Sequence, residues 1–402
     1  MKPRIAVIGG GTAGLSFSCF IDTSKYEVSL FEKKNRLGSK LLVAGKGGFN
    51  LTHSESISKL INRYSPNNVL EKALNNFTNT DFTLFLKKIN ISTYVGSSKR
   101  IFPIKSIKPV EVVSAIETEI LKNNANVNLN SKWIGLKKRN NKSILTFETN
   151  NHQYDEEFDY VIFALGGKSW AVTGSDGSWI NNFKELKVDT HTFESSNSAM
   201  QVSWPLSILK LISGKPLKNL SVTINKTTIK GELMITNFGL EGTPIYTLNK
   251  EFRENDNQGI KTELFIDFKP NSSLKSLINK IDQPILKSWT KHLENNLKLS
   301  KTQMTLLKEF TSKDEFLSVD LITKKIKNFR IEILGLAPIE EAISSIGGIS
   351  TEAVDENFEL KQLTNVFVLG EMLDWDAPTG GYLIQACMSM GYHLAQHLNR
   401  VF

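Results

Sequence analysis

Cysteine is scarce: Cys19 and Cys387 are the two in 402 residues, and no C-x-x-C occurs. That excludes a dithiol redox centre and a thiolate zinc site, and leaves two small apolar side chains buried in helices of opposite halves of the chain. No apolar run approaches the roughly 20 residues of a transmembrane helix, so no membrane partner is expected. A dense Lys/Arg block is also missing. The net charge of +8 is spread over lysines scattered among asparagines and isoleucines, which is permissive for RNA binding and no more. There is no internal repeat and no low-complexity tract. With 40% hydrophobic and 22% charged residues the chain reads as a soluble globular protein, and its length calls for two or three domains. Lys2 and Arg4 ahead of the apolar stretch Ile5–Ile21 imitate a secretory signal, but Gly9-Gly10-Gly11 splits that stretch, so the expected location is cytoplasmic.

What the sequence does contain begins at those glycines. Residues 4–8 (RIAVI) form a short apolar run that ends in glycine, the pattern of a buried parallel strand. An apolar helix from Leu15 to Ile21 follows, and then a second strand over 26–32 (YEVSLFE). Strand, glycine turn, helix and strand make a βαβ unit, and the turn reads Gly9-x-Gly11-x-x-Gly14. Gly9 permits the tight turn, Gly11 lets the backbone approach a pyrophosphate, and Gly14 lets helix and strand pack closely. Thr12 and Ala13 then lie at the helix start, where free N–H groups and the positive helix end favour phosphate. Glu32, 18 residues beyond Gly14, stands where a carboxylate accepts the ribose hydroxyls of an adenosine. The pattern predicts dinucleotide binding without separating FAD from NAD.

Further along, 36–53 reads as an extended loop, and 68–90 and 109–122 as helices, with Val112, Val113, Ile116 and Ile120 on one side of the latter. Segments 127–137, 143–149 and 158–163 read as strands. Residues 198–268 alternate polar and apolar in short runs, 270–334 look helical with many lysines, 363–369 is again a buried strand, and a last helix covers about 381–399. The expected architecture is α/β: a doubly wound, Rossmann-like domain over 1–195 and 340–402, interrupted by a β-domain over 196–270 and a helical domain over 271–339.

Five blocks carry a resemblance: RLGSKLLVAGKGGFNLTH at 36–53, ALGGKSWAVTGSDG at 164–177, GELMITNFGLEGTP at 231–244, EEAISSIGGIS at 340–350 and GEMLDWDAPTGGY at 370–382. They closely resemble the aminoacetone-oxidase/BaiN-like (YhiN-type) NAD(P)/FAD-dependent oxidoreductases, a family of bacterial flavoproteins. The resemblance implies an FAD domain carrying an inserted β-barrel-like domain and a small helical domain. It implies that the segment matching Arg36–His53, with Lys40, Gly45, Gly47 and Asn50, wraps FAD, with Lys40 near the phosphates; Lys33, just ahead of it, is a further cofactor-binding candidate. Ala164 and Gly166 join it, Gly370 and Glu371 lie near the ribityl or pyrophosphate, and the segment with Thr379, Gly380, Gly381 and Tyr382 closes on the flavin. Gly380-Gly381 would start a helix aimed at the ring. A helix N-terminus favours the negative charge of a reduced flavin by up to ~2 kcal/mol, on the order of 40 mV upward in potential. The alternative for these glycines is a tight turn before a core helix.

The chain departs from the family where members often read G-G-G-R-C-N and it has Gly45-Lys46-Gly47-Gly48-Phe49-Asn50. It departs again at Gly380-Gly381-Tyr382-Leu383, where they read G-G-Y-N. Family members have been linked to amine oxidation with oxygen, to reduction of conjugated C=C bonds in bile-acid intermediates, and to dihydrouridine formation in ribosomal RNA. The expected activity is FAD-dependent hydride transfer with NADH or NADPH as a transient donor, since no second GxGxxG supplies a nicotinamide domain. The substrate, a small molecule or RNA, stays open, and no stable protein partner is inferred. An RNA-directed enzyme would grip phosphates with Lys215, Lys218, Lys226, Lys230, Lys324, Lys325 and Lys327, for which the alternative is a solvated face. A protein that holds FAD without turnover is the third reading. No catalytic acid or base is assigned, although Lys46, His53 and Tyr382 lie near the inferred flavin and Arg100 matches a segment near the active site. His393 and His397 have i,i+4 metal spacing but no third ligand, so an exposed helix face is expected there and no metal. Trp170, Trp179 and Trp375 are read as core or rim packing.

Overall fold

The apolar runs at both ends of the chain meet in one sheet. The structure, a computed structural model, describes residues 1–43, 48–150, 152–285 and 288–401. Five parallel strands lie in the order Val366–Val368, Tyr160–Phe163, Arg4–Ile8, Glu27–Phe31, Asn126–Asn128. Ile5 lies opposite both Tyr160 and Val28. Both faces are covered, which is why the central strands are continuous apolar runs rather than alternating ones. The chain forms two compact units, Met1–Glu194 with Ile343–Phe402, and Ser195–Ala342.

In the first unit the helix Thr12–Phe20 follows the first strand, and the last helix, Tyr382–Val401, crosses it. Their backbones approach at Gly391, where a Cβ would lie 2.6 Å from Ala13 O, and Ser16 Oγ donates to Met388 O at 2.6 Å. The helix Pro109–Lys122 buries Val112, Val113, Ile116 and Ile120 as its period predicts. Three readings are corrected. The segment 68–90 is two helices, Asn68–Asn76 and Asn79–Lys88, because Thr78 and Asp81 form a capping box that starts the second. The loop 36–53 contains a short helix, Ser39–Val43, and ends in a strand, Thr52–His53, paired with Arg100–Ile101. A strand unseen in the sequence, His152–Phe158, completes an antiparallel trio with Lys132–Arg139 and Lys142–Thr149.

The second unit is an antiparallel seven-stranded sheet with helices. Its order is Phe329–Ile333, Thr262–Asp267, Pro216–Ile224, Thr227–Ile235, Gly239–Glu241, Met200–Gln201, Gly335–Leu336. The first and last of these are separated by Leu334 alone, whose N–H donates to Gln201 O at 3.0 Å. Phe329–Ile333 falls inside the stretch read as helical; its FRIEI alternation faces Phe329, Ile331 and Ile333 inward against the strand Thr262–Asp267. Helices between Leu274 and Lys327 bury Leu277, Leu293, Leu306 and Ile322 in the same cluster as Val222 and Ile266. No described helix is long and apolar enough to cross a membrane.

Candidate cofactor cradle

At two of its three fingerprint glycines the turn leaves no room for a side chain. Gly9 has φ +110°, and a Cβ there would lie 2.3 Å from Ala164 O; one on Gly14 would lie 2.1 Å from Gly9 O. At Gly11 a Cβ would meet nothing nearer than Ala164 O at 4.0 Å, so the space over that residue is open. The helix Thr12–Phe20 has neither a side-chain cap nor an acid in its first turn. Its free N–H groups and positive end therefore face that opening uncompensated.

Glu32, at the end of the second strand, accepts the Gly10 N–H on Oε2 and the Lys34 N–H on Oε1, each at 2.8 Å. Each carboxylate oxygen keeps a lone pair for a further donor. Lys33 turns to Asp176, with Nζ and Oδ2 2.7 Å apart. Burial works to raise the Asp176 carboxyl, but hydrogen bonds from Lys33 and Ser178 outweigh it and hold the group below its usual range.

The other predicted segments converge here. Lys40 Nζ lies 2.8 Å from Glu371 Oε2 and donates to Ser169 Oγ at 2.9 Å, tying together three stretches remote in sequence. The Glu371 side chain is 13% exposed, and its other oxygen, Oε1, is buried without a hydrogen-bond partner. Gly370 stands against the fingerprint helix, where a Cβ would lie 3.1 Å from the Ala13 Cβ. Trp179 Nε1 donates to Gly166 O at 2.9 Å and Trp375 Nε1 to Gly370 O at 2.8 Å, so these indoles brace the glycine loops. Trp170 is half-buried with φ 60°. Asn50 is half-buried near Gly48; Gly45, Lys46 and Gly47 lie outside the described residues.

Thr379, Gly380, Gly381 and Tyr382 form a second group. Gly381 has φ +95°, and a Cβ would fall 2.6 Å from both N and Cα of Thr52. A Cβ on Gly380 would lie 3.1 Å from Arg100 Nε. Tyr382 donates its phenol proton to Glu55 Oε1 at 2.6 Å, and its ring stacks on His53 with centroids 5.3 Å apart. Arg63 completes the set, donating to both Glu55 oxygens at 3.2 and 3.1 Å. Burial, then the Glu55 carboxylate, push the Tyr382 phenol well up; burial draws His53 down. Ser169, Glu55 and Arg63 carry no signal in the sequence, since each gains its partner only through folding.

Two expectations are corrected. His393 is 3% exposed rather than on an open face: Asn76 Nδ2 lies 2.7 Å from its Nδ1, and its Nε2 lies 3.2 Å from Asn357 Oδ1. Burial, chiefly, pushes its pKa down to about 4. Among the described residues no group of three or more His, Cys, Asp or Glu is arranged to hold a metal. Lys327, offered as a phosphate contact, is committed internally to Asp267 Oδ2 at 2.5 Å and to the carbonyls of Lys269 and Ser272. Lys230 donates to Asn271, while Lys215, Lys218, Lys226 and Lys324 are exposed and Lys325 is half-buried. Both cysteine thiols are pushed far up by burial.

Comparison with known proteins covers nearly the whole chain. A family model described as the HI0933-like protein Rossmann domain matches residues 3–397. The chain is 21% identical over 401 residues to the ribosomal RNA dihydrouridine synthase of Haemophilus influenzae, covering 98% of each. It is 21% identical over 424 residues to the 3-dehydro-bile acid delta(4,6)-reductase of Clostridium scindens, covering 97% of each. Among solved structures, 3-ketosteroid delta1-dehydrogenase from Sterolibacterium denitrificans shares the fold, with a TM-score of 0.50 and 10% identity over the full length of both chains.

Proposed function

The chain belongs to the HI0933-like family, and on that premise we propose that it is an FAD-dependent oxidoreductase. It transfers a hydride, with NADH or NADPH as donor, to a conjugated C=C bond of its substrate. The observation that carries the cofactor reading is the cradle itself. An open space lies over Gly11 at an uncapped helix start, and a buried, unpartnered Glu371 oxygen sits beside Lys40. A buried acceptor with no donor costs about 1–3 kcal/mol, which a ligand hydroxyl relieves.

FAD fits these groups. The N–H groups of Gly11, Thr12 and Ala13 would hold the pyrophosphate, and Glu32 the adenosine ribose with its remaining lone pairs. Lys40 would neutralise phosphate, and Glu371 Oε1 would accept from the ribityl chain. Ala164, Gly166 and Gly370 would lie beside the group, and Thr379–Tyr382 would close the far end. Bound flavin supplies a hydride carrier at N5. The reductive direction is supported by the names of the two full-length relatives, both of which denote addition of hydrogen to a C=C bond. The first of those names also favours a second reading, in which the C=C belongs to a pyrimidine of ribosomal RNA. An oxygen-using amine oxidase is the remaining alternative. We read the sequence-adjacent end strands of the second unit as barrel-like closure, with helices 274–327 as its helical part.

The test starts with the cofactor. The purified protein should be yellow and release intact FAD on denaturation; FMN or no flavin after reconstitution would sink the reading. Reduced anaerobically by NADH or NADPH and then exposed to air, it should reoxidise slowly. Fast reoxidation would make it an oxidase.

A further inference from the structure

Two chain segments leave the carboxyl ends of the parallel sheet and meet twice. One follows the strand Glu27–Phe31 and the other follows Val366–Val368; they join first at Lys40 and Glu371, then at Thr52 and Gly381. Ligands of open parallel sheets lie in the crevice outside those strand ends, and both segments run on from those ends to the second meeting place. The groups gathered there are charged. Arg63 and Arg100 are cationic, and the 20-residue final helix begins there with no acid in its own first turn. Glu55, brought from 327 positions away, supplies the opposing carboxylate and hydrogen-bonds the first residue of that helix. Its side chain is 7% exposed, against 52% for Arg63. Burial works to raise the Glu55 carboxyl, but hydrogen bonds from Arg63 and Tyr382 prevail, so it is ionised at neutral pH.

We propose that Glu55 is a positioning and charge-setting residue: held by Arg63 and Tyr382, it offsets the positive start of the final helix and lowers the reduction potential of the flavin. The inference rests on the FAD reading above. A reduced flavin carries more negative charge than an oxidised one, so nearby cations and a helix N-terminus raise the potential and a buried carboxylate lowers it. Tyr382 fixes the geometry, because its phenol is bound to Glu55 while its carbonyl accepts from Tyr64 Oη at 2.8 Å.

The measurement is the flavin midpoint potential of FAD-loaded protein. Glu55→Gln keeps the shape and removes the charge. It should favour reduction about tenfold, about 30 mV upward for a two-electron couple. Arg63→Gln removes the opposite charge at a half-exposed position and should shift the midpoint downward by less. A purely structural role would lower thermal stability without shifts of opposite sign. Unchanged midpoints in both variants, or shifts of the same sign, overturn the proposal. If Glu55→Gln does not fold, Arg63→Gln decides alone: a fall supports the proposal and no change refutes it. Wild-type protein that takes up no FAD fails before either variant is made, and this inference falls with the cofactor reading.

Discussion

Two glycine turns start the two helices that cross in the first unit, and they are built differently. The first, Gly9–Gly14, closes on itself and its neighbouring strand: the atom that bars a side chain at Gly14 is the Gly9 carbonyl, five residues back. The second, Gly380–Gly381, closes on segments more than 270 residues away, Arg100 and Thr52. The local turn leaves open space and free N–H groups over Gly11. The long-range one is filled, with Gly381 buried against backbone. The first turn thus leaves room for a ligand, and the second holds two distant segments together. Glycine at Gly381 is required by its positive φ and by Thr52 whatever lies beyond, so the tight-turn reading and the helix-aiming reading are compatible.

Substitution at the two turns should separate these roles. Gly14→Val drives a side chain into the Gly9 carbonyl within the central βαβ unit, with an expected cost above about 4 kcal/mol, so folded, FAD-loaded protein should not be recovered. Gly381→Ala strains a left-handed backbone and crowds Thr52, costing about 2–3 kcal/mol. That variant should melt earlier yet still bind FAD. If instead it folds normally and loses FAD, the distinction between a receiving turn and a joining turn is wrong.

Glu32→Ala sharpens the picture at the local turn. It removes the acceptor for two backbone N–H groups and, on the proposed reading, for the adenosine ribose, an expected loss of about 1.5–3 kcal/mol, or roughly 10- to 150-fold in FAD affinity. An unchanged dissociation constant by equilibrium titration would take Glu32 out of the cradle.

The smallest effect is expected farther along the final helix, at His393. Its folded pKa of about 4 lies below the unfolded value near 6.5, so the unfolded chain takes up a proton that the folded chain refuses. Its stabilising contribution is complete above pH about 6.5 and is lost as pH falls towards about 4. His393→Gln should make the fall in melting temperature across that window shallower by about 2–4 °C, measured against wild type. A fall as steep as the wild type's would show that other groups govern the acid limb.

The sequence by itself determined the parts of this protein whose partners are close along the chain. The first strand, the glycine turn, its helix and Glu32 span fewer than 35 residues, and sterics, period and one acid position define them together. The helix Pro109–Lys122 and the final helix were legible for the same reason: a 3.6-residue period is a local property. The break at Thr78 was legible in principle through its capping box, whereas the strand Phe329–Ile333 was masked by the lysine-rich helices before it. Tertiary structure alone decided the rest. It paired Lys40 with Glu371, 331 positions apart, seated Tyr382 on Glu55, committed Lys327 to Asp267, and buried His393 on a face that spacing had left open. Each of these depends on which surfaces meet after the sheet has gathered strands from both ends of the chain. A side chain's burial and its partner are properties of that meeting, and residue type and spacing do not encode them.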